Sequence, residues 1–206
     1  MTADDELKQI AKEVSACTLC RLHSSRKKAV PGEGPSNADI LFIGEGPGFH
    51  ENEEGRPFVG AAGRFLEELL ASIELRREQV FICNVVKCRP PGNRDPMPDE
   101  IESCRPYLDR QIAAIRPAVI VTLGRFSMAR YFGTAKISSV HGQAKTIDGR
   151  LVVAMFHPAA ALHQPGLKQS IEDDFRKLPG LIAQARKRSA TDQPPPSADT
   201  TQLSMF

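Results

Sequence analysis

The sequence lacks any apolar stretch long enough to cross a lipid bilayer, and its first residues, MTADDELKQIAKEV, are charged and amphipathic, unlike a signal peptide. It also has little net charge, +2 over 206 residues, so bulk electrostatics predicts no partner. Nucleic-acid binding would therefore need a local basic patch. We expect a cytoplasmic protein without a membrane partner, built as one domain with no internal repeat.

Cysteine is scarce and odd in number, with five in the chain. Because a reducing compartment disfavours disulfides, and an odd count leaves one thiol unpaired, a disulfide scaffold is excluded. The thiols must then serve a metal site or simply fill the core.

The apolar residues that are present fall into four short runs rich in Ile, Val and Phe: ADILFIG, QVFICNVV, AVIVTLG and RLVVAMF. Such runs are typical of strands buried on both faces of a parallel sheet. Segments with helical spacing separate them, chiefly AAGRFLEELLASIEL, PDEIESCRPYLDRQIAAI and GRFSMARYF. The alternation predicts an α/β fold, a three-layer α/β/α sandwich with a central four-stranded parallel sheet.

Unusual residues collect where each predicted strand ends. Gly44, Glu45 and Gly46 follow the first run, Asn84 lies in the second, and His157 follows the fourth. Ligands of open α/β sheets bind outside the carboxyl ends of the strands. We therefore expect a binding site at this edge.

Four of the cysteines form a candidate metal site. Cys17 and Cys20 are spaced as a C-x-x-C pair, whereas Cys88 and Cys104 are far apart and separated by a proline-rich loop. Zinc ribbons normally supply a second close pair, so the dispersed thiolates suit a [4Fe-4S] cluster better than zinc. The alternative is that they are buried small hydrophobic residues. That alternative suits Cys83 best, because it lies inside an apolar run.

Four sequence blocks carry a family resemblance: GEGPGFHENEEGRPFVGAAG, NVVKCRPPGNRDPMPDE, MFHPAAAL and the CTLC pair. Together they resemble the family 4 uracil-DNA glycosylases, over about residues 10 to 185. The resemblance implies a four-stranded parallel sheet between helices and a [4Fe-4S] cluster on the four cysteines. It also implies an enzyme that removes uracil from single- or double-stranded DNA during base excision repair. Because no extra dimerising element is evident in the sequence, we expect a monomer.

The resemblance also assigns residues to the extruded base, which such an enzyme must recognise outside the helix stack. Phe58 is similar to the family phenylalanine that stacks on uracil, and the Gly46 amide can approach the base closely. Asn84 would accept from uracil N3–H and donate to O4, a pattern that cytosine reverses. His157 is similar to the histidine that donates to uracil O2.

Cleavage of the glycosidic bond develops positive charge on the sugar, so a carboxylate is expected nearby. Glu51 and Glu45 are similar to family acidic residues, and together with His157 they are the predicted catalytic residues. Glu51 is the first candidate for stabilising the sugar cation or orienting water, and Glu45 is the candidate for acting through loop structure. Leu162 is the predicted wedge that inserts into DNA. The family often has an acidic residue where Asn52 stands and an arginine where His163 stands.

Basic side chains near the cysteines would contact phosphates if the cluster fastens the loops that carry them. The candidates share this neighbourhood: Arg21, Arg26, Lys27, Lys28, Lys87, Arg89 and Arg94. Some of them would equally serve as a solubilising surface.

The C-terminal segment differs in composition from the rest. We assign residues 1–187 to the glycosylase-like domain with its iron–sulfur site and residues 188–206 to a polar, proline-rich, disordered tail. Its QLSMF ending resembles the short peptides that dock repair proteins on the replication sliding clamp. The predicted clamp-binding residues are Gln202, Leu203, Met205 and Phe206.

Two other functions are compatible with the same residues. One is an iron–sulfur DNA-binding or redox module that has no glycosylase activity. The other is a zinc-stabilised nucleic-acid binder.

Overall fold

A computed structural model of the chain describes residues 1–191, with side-chain environments up to residue 187. Within this range the α-helices are α1 Ala3–Ala16, α2 Phe49–Glu54, α3 Ala61–Ala71, α4 Pro98–Ile115, α5 Arg125–Phe132, α6 Ile137–Val140, α7 Ala159–His163 and α8 Lys168–Thr191. The strands are β1 Ile40–Gly44, β2 Phe81–Asn84, β3 Val119–Leu123, β4 Ala144–Ile147 and β5 Arg150–Met155. Short 3-10 turns span Arg21–Ser24, Arg77–Gln79, Pro91–Asn93 and Pro165–Leu167.

The strands form one sheet in the order β2-β1-β3-β5-β4. The first four in this order are parallel and correspond to the four apolar runs, so the predicted α/β architecture is confirmed. A fifth strand, β4, extends the sheet antiparallel to β5. The prediction missed it because its AKTI sequence is only partly buried and carries no apolar run.

A sequence signal for β4 nevertheless exists. Asp148 and Gly149 join β4 to β5, and both have positive φ, +48° and +74°. An Asp-Gly pair with two positive φ angles makes the tight turn that suits a two-residue hairpin. The Asp148-Gly149 pair therefore predicts a hairpin that the hydrophobic pattern does not reveal.

Helices cover both faces of the sheet, which gives the three layers. In β1, Ile40 and Phe42 face one core with residues of α3 and α8, while Leu41 and Ile43 face a second core with residues of α4 and α5. This alternation follows from the two-residue side-chain period of a strand. The open edge of β2 is covered by a backbone bridge between Glu33 and Ile82.

The long last helix, α8, ends at Thr191, which is four residues beyond the domain boundary drawn from the sequence. The predicted clamp-binding residues lie outside the described residues. Among residues 1–191, every helix is too short or too polar to span a membrane.

Candidate active site and cysteine centre

A pocket of about 690 Å³ opens at the carboxyl edge of the sheet, within the size range of small-molecule sites. The six residues predicted for base binding and catalysis all line it: Glu45, Gly46, Glu51, Phe58, Asn84 and His157. The fold thus brings together side chains that are up to 112 positions apart in the chain. Their individual roles stay predictions.

Asn84 presents an unpaired acceptor to this pocket. It is the last residue of β2, its side chain is buried, and it pairs in register with Gly44 of β1. Asn84 Oδ1 has no hydrogen-bond partner, and no other buried side-chain nitrogen or oxygen among the described residues shares this property. Because an unsatisfied buried polar atom costs about 1–3 kcal/mol, the position is explained most simply by a ligand that donates to it.

The sequence places Gly44 at the site edge but assigns no role to it. A Cβ atom at this position would lie 2.4 Å from Asn84 Oδ1 and 2.7 Å from the Phe58 ring. The missing side chain therefore lets the amide and the aromatic ring meet over the end of β1. The signal for it was present, because Gly44 begins the GEGPG block.

Phe58 is held in an uncommon backbone conformation, with a φ of +52°. Arg77 secures it from behind: its Nη1 donates to the Phe58 carbonyl at 2.9 Å and its Nη2 to the Pro57 carbonyl. Arg77 is itself fixed by Glu33, whose carboxylate lies 2.7 Å from Nε. Gly63 lets the first turn of α3 pack closely against the Phe58 backbone, since a Cβ atom at residue 63 would lie 2.0 Å from the Phe58 carbonyl oxygen.

His157 lies against Phe58, with ring centroids 5.4 Å apart and an interplanar angle of 23°. The backbone N–H of Ala159 donates to Nδ1 at 3.1 Å, which leaves Nε2 as the protonated nitrogen of a neutral ring. Burial lowers the pKa of His157 to about 4, against a smaller opposing effect of Glu51. The ring is therefore a neutral N–H donor at physiological pH.

The Glu51 carboxylate is committed to the backbone. Its Oε1 accepts from the N–H groups of Val59 and Gly60, both at 2.9 Å, and its Oε2 accepts from Gly48 at 3.0 Å. These bonds join the loop before α2 to the loop that carries Phe58. Glu51 thus fixes the shape of the pocket as well as contributing charge to it.

Glu45 is the less restrained of the two acidic residues. Burial raises its pKa to about 7; nearby Asp95 reinforces this effect and Arg125 opposes it. A carboxyl group with this pKa exchanges protons near neutral pH, which is suited to general acid–base work.

One of the predicted phosphate contacts is wrong. Lys87 is 1% exposed, and its Nζ donates to the Asn84 carbonyl at 2.9 Å and to Gln111 Oε1 at 2.6 Å. The alternation of β2 and the loop after it turns this side chain inward, where it supports the strand end that carries Asn84. A sequence-based count of charges cannot show that orientation.

The other basic candidates differ in their surroundings. Arg94 lines the pocket but is paired with the buried carboxylate of Glu100 through two hydrogen bonds of 2.9 and 2.6 Å. Arg26 donates to Cys88 Sγ at 3.3 Å. Arg21 and Lys27 are exposed but paired with Asp99 and Glu53, whereas exposed Lys28 and half-buried Arg89 form no ion pair within residues 1–187.

The two departures from the family pattern lie in different places. Asn52 is buried, and its Oδ1 accepts from the Lys27 backbone N–H at 2.9 Å, which ties the basic segment to α2. His163 lines the pocket at the end of α7. On the same short helix Leu162 is 50% exposed, so it is free to contact DNA, although its role as a wedge stays a prediction.

The four predicted ligand cysteines line a second cavity, between the end of α1, the loop after β2 and α4. Cys83 does not line this cavity, because it is a residue of β2 and its side chain lies in the second core. Arg26 donates to Cys88, and the Lys87 backbone N–H lies 3.3 Å from Cys104 Sγ. Hydrogen bonds to sulfur are a usual feature of thiolates that bind iron–sulfur clusters.

Four thiols around one cavity are a donor set that is compatible with a cluster. Within residues 1–191, no three His, Cys, Asp or Glu side chains are close enough to hold one metal ion. In a four-iron cluster each thiolate binds a different iron, so that spacing is not required. Burial raises the pKa of Cys104 to about 11, and it also raises the pKa values of Cys20 and Cys88, so a bound cation would be needed to hold these thiolates ionised.

The fold and the pocket define an α/β/α protein with a ligand pocket at the carboxyl edge of its sheet. A family model described as the uracil DNA glycosylase superfamily matches residues 31–178, and the chain belongs to this superfamily.

Individual relatives agree with this placement. The chain is 52% identical over 184 residues to a type-4 uracil-DNA glycosylase of Saccharolobus solfataricus, covering 84% of this chain and 85% of the relative. It is 48% identical to that of Archaeoglobus fulgidus, covering 84% and 92%. It is 43% identical to that of Thermotoga maritima, covering 88% and 98%.

The raised pKa of Glu45 predicts a pH-dependent stability difference for the Glu45→Gln variant. The native state holds the Glu45 proton up to about pH 7 while the unfolded chain releases it near pH 4.5, so the parent loses stability as pH rises through this window. The full shift corresponds to about 3 kcal/mol, and partial solvation reduces the effect to about 1–2 kcal/mol. Because an amide does not ionise, the variant should gain that amount relative to the parent across the window.

Denaturant unfolding in acidic and in mildly alkaline buffer measures this difference. The exposed Glu54→Gln variant, which removes a surface carboxylate, is the control with which the Glu45→Gln difference is compared. An offset of Glu45→Gln from the parent that does not change with pH would contradict the prediction.

Proposed function

We propose that this chain flips uracil out of DNA and hydrolyses its N-glycosidic bond, leaving an abasic site for base excision repair. The relatives named type-4 uracil-DNA glycosylase, at 43–52% identity over most of both chains, support the activity. The observation that best supports uracil as the substrate is the unpaired, buried Oδ1 of Asn84 in the pocket.

Base recognition follows from the donor and acceptor pattern. Uracil N3–H would donate to Asn84 Oδ1, and the Asn84 amide would donate to O4. Cytosine has no N3–H and presents an amino group in place of O4, so it would leave buried polar groups unpaired. Such mismatches discriminate strongly between ligands of the same shape.

Bond cleavage requires charge of opposite sign at the two ends of the breaking bond. His157 would donate from Nε2 to uracil O2 as the departing base gains negative charge, and it needs no proton from solvent because the ring is already a neutral donor. Glu51, fixed by three backbone N–H groups, would hold negative charge near the sugar. Ionised Glu45 would accept the proton of the water that attacks the sugar C1′.

An excision assay on a uracil-containing oligonucleotide tests this function. The parent should produce an alkali-labile site with uracil and none with cytosine. Asn84→Ala should lower kcat/KM by about 10- to 100-fold, since it removes a hydrogen bond of about 1.5–3 kcal/mol in the transition state.

The exposed Asn37→Ala variant is the matched control and should behave as the parent. A parent that makes no abasic site would favour the alternative, an iron–sulfur DNA-binding or redox module. An Asn84→Ala variant as active as the parent would remove Asn84 from base recognition.

We further propose that Cys17, Cys20, Cys88 and Cys104 hold a [4Fe-4S] cluster. The cluster would fasten the end of α1, the loop after β2 and α4 together, and hydrolysis requires no electron transfer from it. Its contribution would be structural, since it would fix the loop that follows Asn84.

Metal analysis and colour test this proposal. The purified protein should be brown, with broad absorbance near about 400 nm, and it should contain iron and no zinc. Cys104→Ala should lose the absorbance. Cys83→Ala is the control and should keep it, because Cys83 lies outside the cysteine cavity. A colourless protein that contains zinc would establish the zinc-stabilised alternative.

We also propose that the C-terminal peptide docks on the replication sliding clamp. The QLSMF ending and the proline-rich segment before it support this, and tethering would raise the local concentration of the enzyme at new DNA. We expect the protein to act in the reducing cytoplasm as a monomer.

Removal of residues 202–206 tests the tail. The truncated protein should lose clamp binding in a pull-down with purified clamp, while its excision from a short oligonucleotide should be unchanged. Clamp affinity equal to that of the full chain would contradict the role of the peptide.

A further inference from the structure

Phe49 is exposed at the mouth of the pocket without a folding reason. It is the first residue of α2, it lines the pocket, and 53% of it is accessible to solvent. The other large hydrophobic residues exposed among residues 1–187 are not aromatic, namely Met1, Leu19, Met97 and Leu162. An exposed aromatic ring beside a ligand pocket can stack on another planar group, such as a base outside the pocket.

Arg89 lies over the Phe49 ring, with its guanidinium carbon 5.2 Å from the ring centroid. A hydrogen bond of 2.7 Å from its Nε to Asn93 Oδ1 holds the side chain in this position. Within residues 1–187 it forms no ion pair, whereas the neighbouring Arg94 and Arg125 are both paired with carboxylates. Its charge therefore remains available to an anion.

An aromatic ring and an unpaired cation that lie together match the chemistry of one nucleotide. Proteins that hold unpaired DNA stack its bases on aromatic rings and contact the phosphates with basic side chains. Phe49 lines the pocket proposed for the extruded base, and Arg89 is held beside it through the Phe49 ring and through Asn93, which also lines the pocket. A protein partner would explain the ring but gives no reason for its position beside the base pocket.

We propose that the Phe49–Arg89 pair binds the nucleotide next to the extruded uracil when that nucleotide is unpaired: its base stacks on Phe49 and its phosphate contacts Arg89. The inference rests on the proposed function, since it requires uracil in the pocket. In a duplex the neighbouring base stays stacked and paired, so it would have to give up those contacts to use the site. The pair therefore favours uracil in single strands.

Steady-state kinetics on single-stranded and duplex uracil oligonucleotides test the site. Phe49→Ala should raise KM for the single strand by at least about 5-fold, the change that corresponds to about 1 kcal/mol of lost base stacking, and should leave kcat and the duplex KM close to those of the parent. Phe49→Trp retains an aromatic face and should keep the parent's KM. Arg89→Gln should lower the slope of log affinity against log salt by about 0.7 on the single strand.

A fluorescent base gives a direct readout. 2-Aminopurine placed on either side of uracil in a single strand should change its fluorescence on binding the parent or Phe49→Trp, and the change should be lost with Phe49→Ala. If the parent excises uracil but Phe49→Ala has the parent's single-strand KM and fluorescence change, the site is overturned while the activity stands. If the parent excises no uracil, the proposed function itself fails.

Discussion

The pocket depends on the register between β1 and β2, which sets Gly44 beside Asn84 at the carboxyl edge of the sheet. Four parallel strands buried on both faces allow little freedom in this register, because a one-residue slip would turn every core side chain to the wrong face. The strand ends are thus located by the whole core. Gly44 then leaves the space in which the Asn84 amide and the Phe58 ring lie side by side.

The loops around this space are held by charged side chains bonded to backbone groups. The positive φ of Phe58 costs about 1–3 kcal/mol. Arg77 makes two charge-assisted bonds to the carbonyls of residues 57 and 58, each worth about 1.5–3 kcal/mol, and these offset the cost. Glu51 adds three bonds from the opposite side. The ring is therefore positioned before any base arrives, which lowers the ordering cost of binding.

The sequence predicts the four parallel strands, the site edge and the residues that meet there, because hydrophobic runs and motif blocks report on the core and on the pocket floor. It does not predict which way a charge points. Lys87 reads as a phosphate contact but is buried under the strand end, and Glu51 reads as a free carboxylate but is bonded to three amides. Arg77 carries no motif signal at all, since its role arises from a fold contact with residues about twenty positions earlier.

Two of the titratable groups that line the pocket, Glu45 and His157, have pKa values shifted in opposite directions by the same cause. Burial disfavours the charged form of each, so the pKa of His157 falls to about 4 and that of Glu45 rises to about 7. At neutral pH the histidine is uncharged and Glu45 is about half ionised. Such a site repels the DNA phosphates less than two free carboxylates would. In the proposed reaction the ionised fraction of Glu45 would supply negative charge near the sugar until it accepts the proton of the attacking water, and this would reconcile binding of a polyanion with stabilisation of a cation.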